Sequence, residues 1–344
     1  MPEHWNLAPR GTVITLEHDS VALAGNPLGD PSGRELHVYL PPGYEDEPDR
    51  RYPVIWCLTG YTGSGRMLEN LSAWAPPLSW RMDRLIEAGA PPAILAMPDC
   101  FTRLGGSQYV DSSATGNYRT YLIEELVPLV DAKLRTLADR LHRGVMGKSS
   151  GGYGAICMGL EAADVFGGVA CHSGDMMFEL CYGADFPKVA GIARRFEDLT
   201  PWLEKLEGSE KRGYPDLSAL NILCMAACYS PSEDRPAPLA LDLPFDLETC
   251  ELLPEVWSRW LARDPLRMLD DPERRAALAS LVTLFVDCGD KDEFHLQYGA
   301  RAFVRKLLEH DIAHTYEEFP DGHMSITYRY DRSLPVLARA LTPA

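Results

Sequence analysis

The sequence predicts an α/β protein whose central sheet is mostly parallel and flanked by helices. Short apolar runs recur along the chain, each followed by a glycine-rich turn and a longer stretch of helical period. Near-continuous apolar runs are typical of strands buried on both faces, which occur in parallel sheets covered by helices. The predicted strands of this kind are residues 54–58, 93–97, 144–146, 168–171, 281–286 and 316–319.

Two further segments near the start of the chain complete the predicted sheet. Residues 11–17 and 34–40 are β-rich, and the second alternates apolar and polar residues before a Pro-Pro-Gly turn. We expect them to form an antiparallel hairpin appended to the parallel strands. Apolar residues at helical spacing predict helices over residues 118–137, 151–162, 295–310 and 333–341.

Residues 176–274 interrupt this alternation. They contain no clear sheet strand, and a structureless loop of that length inside a compact domain is uncommon. We therefore predict a helical cap inserted into a core made of residues 1–175 and 275–344. Its aromatic residues either form the core of the cap or line a pocket; they are Trp202, Trp257, Trp260, Tyr182, Tyr214 and Tyr229.

Composition excludes several classes of partner. The 344 residues include 50 acidic and 33 basic side chains, which gives a formal charge of −17. Such a protein is repelled by DNA, RNA and anionic lipid, so we predict no nucleic-acid and no membrane partner. No stretch approaches the ~18 uninterrupted apolar residues of a membrane span. Hydrophobic residues make up 46% and charged residues 24%, as in a folded globular protein.

The cysteines and the start of the chain indicate a cytosolic protein. There are nine cysteines, an odd number, and several lie inside apolar runs, where Cys behaves as a small buried hydrophobic residue. No Cys/His pairs stand at zinc-site spacing, and no dinucleotide-binding fingerprint is present, so we predict no metal and no cofactor. Residues 1–11 lack the basic stretch and apolar run of a secretory signal.

A candidate nucleophile lies between a predicted strand and a predicted helix. Gly147, Ser149 and Gly151 form the pattern G-x-S-x-G, in which a sharp strand-to-helix turn presents the serine. The alternatives are an inert glycine-rich turn or a phosphate-binding loop. The second would need a glycine where His142 stands. The strand–turn–helix setting favours Ser149 as the nucleophile.

A nucleophilic serine needs a base within hydrogen-bond reach, and in α/β-hydrolases the order along the chain is serine, acid, histidine. His323 follows the last predicted strand in the turn 319–325 (FPDGHMS), where a loop histidine can reach over the edge of the sheet. We predict that it is the base. The other histidines after Ser149 fit less well; they are His172, His295, His310 and His314.

The acid is expected in the turn after the preceding strand. Four carboxylates crowd into residues 287–293, and their spacing alone does not choose between them. Asp287 is expected to remain within the strand. We favour Asp292 as the acid, with Asp290 second, and the alternative is that Asp292 or Glu293 merely caps the following helix.

The oxyanion that develops during acyl transfer needs backbone N–H donors. We predict that these belong to Tyr61, in the turn after strand 54–58, and to Ser150, which follows the nucleophile. Candidate pocket residues are Gly60 in the first turn, Gly106 and Ser107 in a second glycine-rich loop, and His172. His172 begins the segment 172–175 (HSGD), which either faces the site or is a turn that starts the cap.

Taken together, these segments resemble the putative-esterase family of α/β-hydrolases. That family is typified by esterase D (S-formylglutathione hydrolase), feruloyl esterase domains and the antigen 85 mycolyltransferases. The matching segments appear in the order found in the family; they are residues 52–61 (YPVIWCLTGY), 98–99 with 105–109, 121–128 (YLIEELVP), 147–155 (GKSSGGYGA), 292–294 and 322–323.

The resemblance implies a serine hydrolase that cleaves a small carboxylic ester through an acyl-enzyme intermediate. Thioester cleavage, as in S-formylglutathione hydrolases, or acyl transfer would use the same residues, and a non-catalytic binding protein is a distant alternative. Before the nucleophile the family usually has His or Gln, where this chain has Lys148, and after it Met or a similar residue, where this chain has Ser150. Thr59 stands where a His is common in the family. The acyl and alcohol parts of the substrate, cap mobility and the oligomeric state, monomer or homo-oligomer, stay open.

Overall fold

The computed structural model describes residues 11–72, 75–196, 199–211 and 213–343. Eight strands form one sheet in the order β1-β2-β4-β3-β7-β8-β9-β10, and β5 and β6 pair as a separate short hairpin. The strands are β1 (Thr12–Asp19), β2 (Gly33–Leu40), β3 (Val54–Leu58), β4 (Ile94–Pro98), β5 (Asp111–Ser112), β6 (Gly116–Asn117), β7 (Arg143–Lys148), β8 (Gly168–His172), β9 (Thr283–Gly289) and β10 (Thr315–Phe319).

The sheet is mostly parallel, as the apolar runs predict. β1 pairs with β2, and β2 with β4, in antiparallel orientation, whereas β4, β3, β7, β8, β9 and β10 are parallel neighbours. All residues of β3, β4 and β8 are buried, while the edge strand β1 alternates between exposed and partly buried positions. The predicted fold class and the appended hairpin are confirmed.

Helices cover both faces of the sheet. The helices outside the segment between β8 and β9 are α1 (Leu78–Glu87), α2 (Tyr118–Thr120), α3 (Val127–Lys133), α4 (Ser150–Glu161), α12 (Leu296–Glu309) and α13 (Tyr330–Leu341). On one face α1 and α13 pack against apolar side chains of the central strands, such as Ile55 and Leu95. The larger core on the other face includes α4 and α12.

The predicted helix 118–137 differs from the structure in two ways. A π-helical stretch, Tyr121–Leu126, joins α2 to α3, and the helix ends at Lys133. The next residues extend along Tyr52: its N–H donates to the Arg135 carbonyl, and the Leu137 N–H donates to the Tyr52 carbonyl, both at 2.9 Å. Backbone hydrogen bonds to Tyr52, two residues before β3, therefore replace the last helical turn.

The segment between β8 and β9 is helical. It contains α5 (Phe178–Cys181), α6 (Phe186–Phe196), α7 (Leu199–Glu207), α8 (Tyr214–Tyr229), α9 (Pro254–Leu261), α10 (Pro265–Met268) and α11 (Pro272–Ala279). The only β pairs in its described part are two isolated bridges, between Pro231 and Leu241 and between Phe245 and Leu252. The division into core and cap stays a prediction, and its boundary at residue 274 lies inside α11.

Three observations bear on compartment and environment. All nine cysteines lie among the described residues, and all are free thiols. No helix in the described ranges is both long enough and apolar enough to cross a membrane. The sequence analysis predicts no secretory signal in residues 1–11, and residues 1–10 of that segment lie outside the described residues.

Candidate active site

Ser149 occupies a tight turn between β7 and α4. β7 ends at Lys148, α4 begins at Ser150, and Ser149 between them has φ 60° and ψ −126°, a conformation that costs energy for a residue with a Cβ. A Cβ on Gly147 would lie 2.4 Å from the Gly151 carbonyl, and one on Gly151 would lie 2.3 Å from the Leu58 carbonyl oxygen. The two glycines thus let strand and helix approach closely enough to hold the serine in this conformation.

His323 and Asp292 lie in line with the serine hydroxyl. Ser149 Oγ is 3.0 Å from His323 Nε2, and His323 Nδ1 is 2.7 Å from Asp292 Oδ2. Asp292 is 2% exposed and His323 4% exposed. The structure therefore brings together the three residues that the sequence predicts as nucleophile, base and acid.

Hydrogen bonds hold the two loops that carry Asp292 and His323. The Phe294 N–H donates to Asp292 Oδ1 at 2.9 Å, and the His323 N–H donates to Glu293 Oε2 at 2.6 Å. Asp290, the second candidate acid, is exposed, and its N–H donates to the Phe319 carbonyl. Helix α12 begins only at Leu296, so Asp292 contacts the histidine rather than capping that helix.

Tyr61 and Ser150 line the same cavity as Ser149. Ser150 is the first residue of α4, so its N–H has no acceptor within the helix and lies at the positive end of the helix dipole. The turn that carries Tyr61 is fixed by the Thr62 N–H, which donates to the Gly105 carbonyl at 2.8 Å. Neither the Tyr61 nor the Ser150 N–H has a hydrogen-bond acceptor in the described part of the chain.

A cavity of about 620 Å³ opens over these residues. Part of its lining consists of the predicted site residues and their neighbours: Gly60, Tyr61, Lys148, Ser149, Ser150 and His323. A second part comes from the segment between β8 and β9 and includes Asp175, Cys181, Tyr182, Asp185, Tyr214, Leu217 and Asn221. Glu293, Phe294 and Met324 also line the cavity.

The sequence analysis did not single out the charged residues Lys148, Asp175 and Asp185 of the cavity wall as pocket residues, although Asp175 ends the segment 172–175, which was expected either to face the site or to start the cap. Burial lowers the pKa of Lys148, although the nearby carboxylates of Asp292, Asp175 and Glu293 act in the opposite direction. Burial raises the pKa of Asp175. Asp175 follows the end of β8, and its position at the carboxyl edge of a parallel sheet was the one available signal. Within the described ranges, no group of three or more His, Cys, Asp or Glu side chains is arranged to hold a metal ion.

Three of the four candidate pocket residues do not line the cavity. The side chain of His172 is fully buried, because it points into the sheet core toward Asp287 and Ser333. Gly106 lies behind the ring of Tyr61, where a Cβ would be 3.4 Å from Cδ2. Ser107 is buried and accepts a hydrogen bond from the Tyr109 N–H. Gly60 does line the cavity, and a Cβ there would lie 3.4 Å from the Ser149 Cβ.

The aromatic residues of the segment 176–274 divide between the two predicted roles. Tyr182 and Tyr214 line the cavity. The others pack against one another in the interior, with ring centroids 5.9 Å apart for Trp257 and Trp260 and 5.4 Å apart for Tyr229 and Trp260. Trp202 is also buried, and its indole N–H donates to Asp216.

The family model described as "Putative esterase" matches residues 31–328 of this chain. The chain belongs to this family. The resemblance drawn from the sequence motifs is thus confirmed, and membership makes the protein a carboxylic ester hydrolase.

Relatives of this esterase include a curated protein and several solved structures. An endo-1,4-beta-xylanase/feruloyl esterase of Xylanibacter ruminicola is 30% identical over 139 residues, which are 38% of this chain and 18% of that protein. The esterase thus matches about a fifth of the length of that relative. A ferulic acid esterase structure has a TM-score of 0.61 at 22% identity, with 96% of this chain and 99% of the other covered. The S-formylglutathione hydrolase of Agrobacterium tumefaciens has a TM-score of 0.58 at 19% identity, with 98% of both chains covered. These two structures show the fold.

A buried hydrogen-bond network lies beneath the nucleophile turn of this esterase. His172 Nδ1 is 2.7 Å from Asp287 Oδ1, and His172 Nε2 is 2.7 Å from Ser333 Oγ. Arg329 Nε donates to Asp287 Oδ2 at 2.8 Å. The carbonyl of His172 accepts the Ser149 N–H at 2.9 Å, so the network also supports the backbone of the serine.

Proposed function

We propose that this esterase is a serine hydrolase that cleaves carboxylic esters through an acyl-enzyme intermediate. Ser149 is the nucleophile, His323 the general base and Asp292 the acid that orients the imidazole. The observation that carries this proposal is the chain of two short contacts, 3.0 Å from Ser149 to His323 and 2.7 Å from His323 to Asp292, at the wall of an open cavity.

In the first half of the reaction Ser149 Oγ attacks the acyl carbon, and its proton passes to His323 Nε2. Asp292 accepts the hydrogen bond from His323 Nδ1, which keeps Nε2 free as the acceptor and stabilises the imidazolium that forms. The N–H groups of Tyr61 and Ser150 donate to the oxyanion of the tetrahedral intermediate. The C–O bond to the alcohol then breaks as His323 returns the proton to the leaving oxygen.

In the second half of the reaction water attacks the acyl carbon of the Ser149 ester. His323 takes the proton from water and then gives it to Ser149 Oγ as the acid product leaves. The partner this requires is a small-molecule ester. We also propose a cytosolic location, which nine free thiols support because disulfides are rare in that compartment.

The proposal is tested with p-nitrophenyl esters of short and medium acyl chains. We expect turnover by the native protein, a burst of p-nitrophenol when deacylation is slower than acylation, and a loss of at least about a thousandfold in kcat for Ser149→Ala. A fluorophosphonate should label the native protein and leave Ser149→Ala unlabelled. The proposal would be overturned if the native protein showed no turnover of any of these esters and was not labelled by the fluorophosphonate.

The identity of the acid is tested separately with a matched pair of variants. Asp292→Asn should lower kcat by about ten-thousandfold, because the amide favours the wrong imidazole tautomer and no longer stabilises the imidazolium. Asp290→Asn is the control, since that carboxylate is exposed, and its kcat should stay within about twofold of native. The reverse order of the two effects would assign the acid to Asp290.

A further inference from the structure

Asp175 is a buried carboxylate on the wall of the cavity that holds Ser149. It follows the end of β8, is 7% exposed and lies close enough to His323 and Asp292 to interact with their charges. None of the steps proposed above uses it. A carboxylate in such a position is expensive to desolvate unless its oxygens accept hydrogen bonds.

Hydrogen bonds to one oxygen fix the orientation of Asp175. Tyr182 Oη donates to Oδ2 at 2.8 Å, and Gln108 Nε2 donates to the same oxygen at 3.2 Å. The same Gln108 Nε2, whose two hydrogens these acceptors share, also lies 3.1 and 2.9 Å from the hydroxyl oxygens of Tyr182 and Tyr229. The other carboxylate oxygen, Oδ1, has no hydrogen-bond partner in the part of the chain that the structure describes.

The position of Asp175 within the cavity indicates which part of a substrate reaches it. Asp175, Cys181 and Tyr182 form a buried end, whereas Tyr214 and Met324 at the rim are 62% and 64% exposed. The alcohol must leave before water attacks the acyl-enzyme, so the alcohol lies toward the open rim. The acyl group, which stays attached to Ser149, then occupies the buried end.

Charge on the cavity wall selects among the groups that could bind there. The wall carries the carboxylates of Asp175, Asp185 and Glu293 and the single ammonium of Lys148 among its described residues. Asp185 is already paired with Lys188 at 2.6 Å. An anionic acyl group is therefore disfavoured, while a neutral or cationic hydrogen-bond donor is accepted.

We propose that Asp175 Oδ1 accepts a hydrogen bond from a hydroxyl or ammonium group on the acyl part of the substrate, which makes Asp175 a specificity-determining residue. This inference rests on the proposed serine-hydrolase function and narrows its substrate class to esters of donor-bearing acids. The hydrogen bonds from Tyr182 and Gln108 hold the carboxylate in place before the substrate binds, so the donor pays little reorganisation cost.

The test uses p-nitrophenyl esters of four acids of similar shape: 4-methyl-, 4-(hydroxymethyl)-, 4-(aminomethyl)- and 4-carboxybenzoic acid, together with the phenylacetic series. The leaving group is constant, so differences in kcat/KM report on the acyl part. We expect the kcat/KM of the better of the two donor-bearing esters, hydroxymethyl or aminomethyl, to exceed that of the methyl ester by at least about tenfold. The carboxy ester should have the lowest kcat/KM of the four. The hydroxymethyl and aminomethyl arms distinguish a neutral from a cationic donor.

Asp175→Asn should lower the ratio of kcat/KM between the preferred donor ester and the methyl ester by about tenfold or more. Asp290→Asn is the control, because that carboxylate is exposed and does not line the cavity, and its ratio of kcat/KM between the two esters should match that of the native protein. Equal turnover of all four esters by the native protein would overturn the inference even if Asp175→Asn failed to fold. If the native protein turned over none of the four esters but was still labelled by the fluorophosphonate, the inference about Asp175 would also be overturned. If the native protein was not labelled either, the proposed serine-hydrolase function itself would be refuted.

Discussion

Gly151 faces the backbone of β3 at a distance that leaves no room for a side chain. The Cβ of Gly151→Ala would lie 2.3 Å from the Leu58 carbonyl oxygen and 2.7 Å from that of Thr59, so strand and helix must separate. We expect the free energy of unfolding to fall by about 2 kcal/mol and kcat/KM to fall by about a hundredfold, because Ser149 is displaced from His323. Urea unfolding and p-nitrophenyl ester turnover measure the two effects.

Gly191 supplies the control for that substitution. It lies within α6, and a Cβ there would meet no atom within 4 Å. Gly191→Ala should therefore stabilise the protein by about 0.5–1 kcal/mol through helix propensity and leave kcat/KM unchanged. Equal effects of the two alanines would contradict the role given to close approach at Gly151.

At the scale of single residues, the sequence predicted the serine and the histidine, and for the acid it favoured Asp292 with Asp290 second. Residues 287–293 hold four carboxylates, and their separation along the chain does not reveal which side chain turns toward the histidine loop. The contact of Asp292 with His323 depends on the loop after β9, where the Phe294 N–H orients the carboxylate. His172 was a candidate pocket residue because it follows a predicted strand, but its side chain points to the sheet core, and Asp175 of the same segment lines the cavity.

At the scale of elements, four strands and one helix meet in the network around His172. His172 is the last residue of β8 and pairs across the sheet with Lys148 of β7 and Asp287 of β9. Arg329 joins Asp287 to Glu317 of β10, and Ser333 of α13 contacts His172. Because Ser149, Asp292 and His323 follow β7, β9 and β10, this network fixes the strands from which all three side chains project.

Asp287→Asn tests how much that network stabilises the fold. Asp287 is fully buried, and the substitution removes one of the two carboxylates that pair with Arg329, the other being Glu317, and alters the partner of His172. Removing one member of a buried ion pair costs about 3 kcal/mol or more in the free energy of unfolding, which denaturant unfolding measures.

The exposed ion pair between Arg301 and Glu318 provides the comparison for Asp287→Asn. Its side chains are 43% and 30% exposed, so Glu318→Gln should cost under about 1 kcal/mol. A cost for Asp287→Asn as small as that of Glu318→Gln would mean that the network is not a major source of stability.

Element boundaries followed from the sequence where hydrophobic periodicity decides them, and not where long-range hydrogen bonds do. β3, β8 and α4 lie within a residue of their predicted positions because their side chains are buried almost throughout. The helix predicted to reach residue 137 ends at Lys133 because Arg135 and Leu137 bond to Tyr52, far away in sequence. The short hairpin of β5 and β6 has only two residues in each strand, too few for a periodic signal.

At the scale of the whole molecule, charge governs which substrates approach. A formal charge of −17 creates a negative potential around the protein that lowers the local concentration of anions. Salt reduces that potential, since the Debye length shrinks from about 30 Å at 10 mM to about 8 Å at 150 mM ionic strength. The same electrostatics leave a neutral substrate unaffected.

We therefore expect the kcat/KM of an anionic ester to rise with ionic strength while that of its neutral counterpart stays flat. For the p-nitrophenyl ester of 4-carboxybenzoic acid, we expect an increase of about threefold or more between 10 and 150 mM NaCl, because screening removes the repulsion during approach. The 4-methylbenzoate ester serves as the control for general salt effects on the enzyme. A salt response shared by both esters would locate the effect in the protein rather than in substrate approach. A flat response for both would mean that local charge at the cavity, such as the ammonium of Lys148, cancels the overall field.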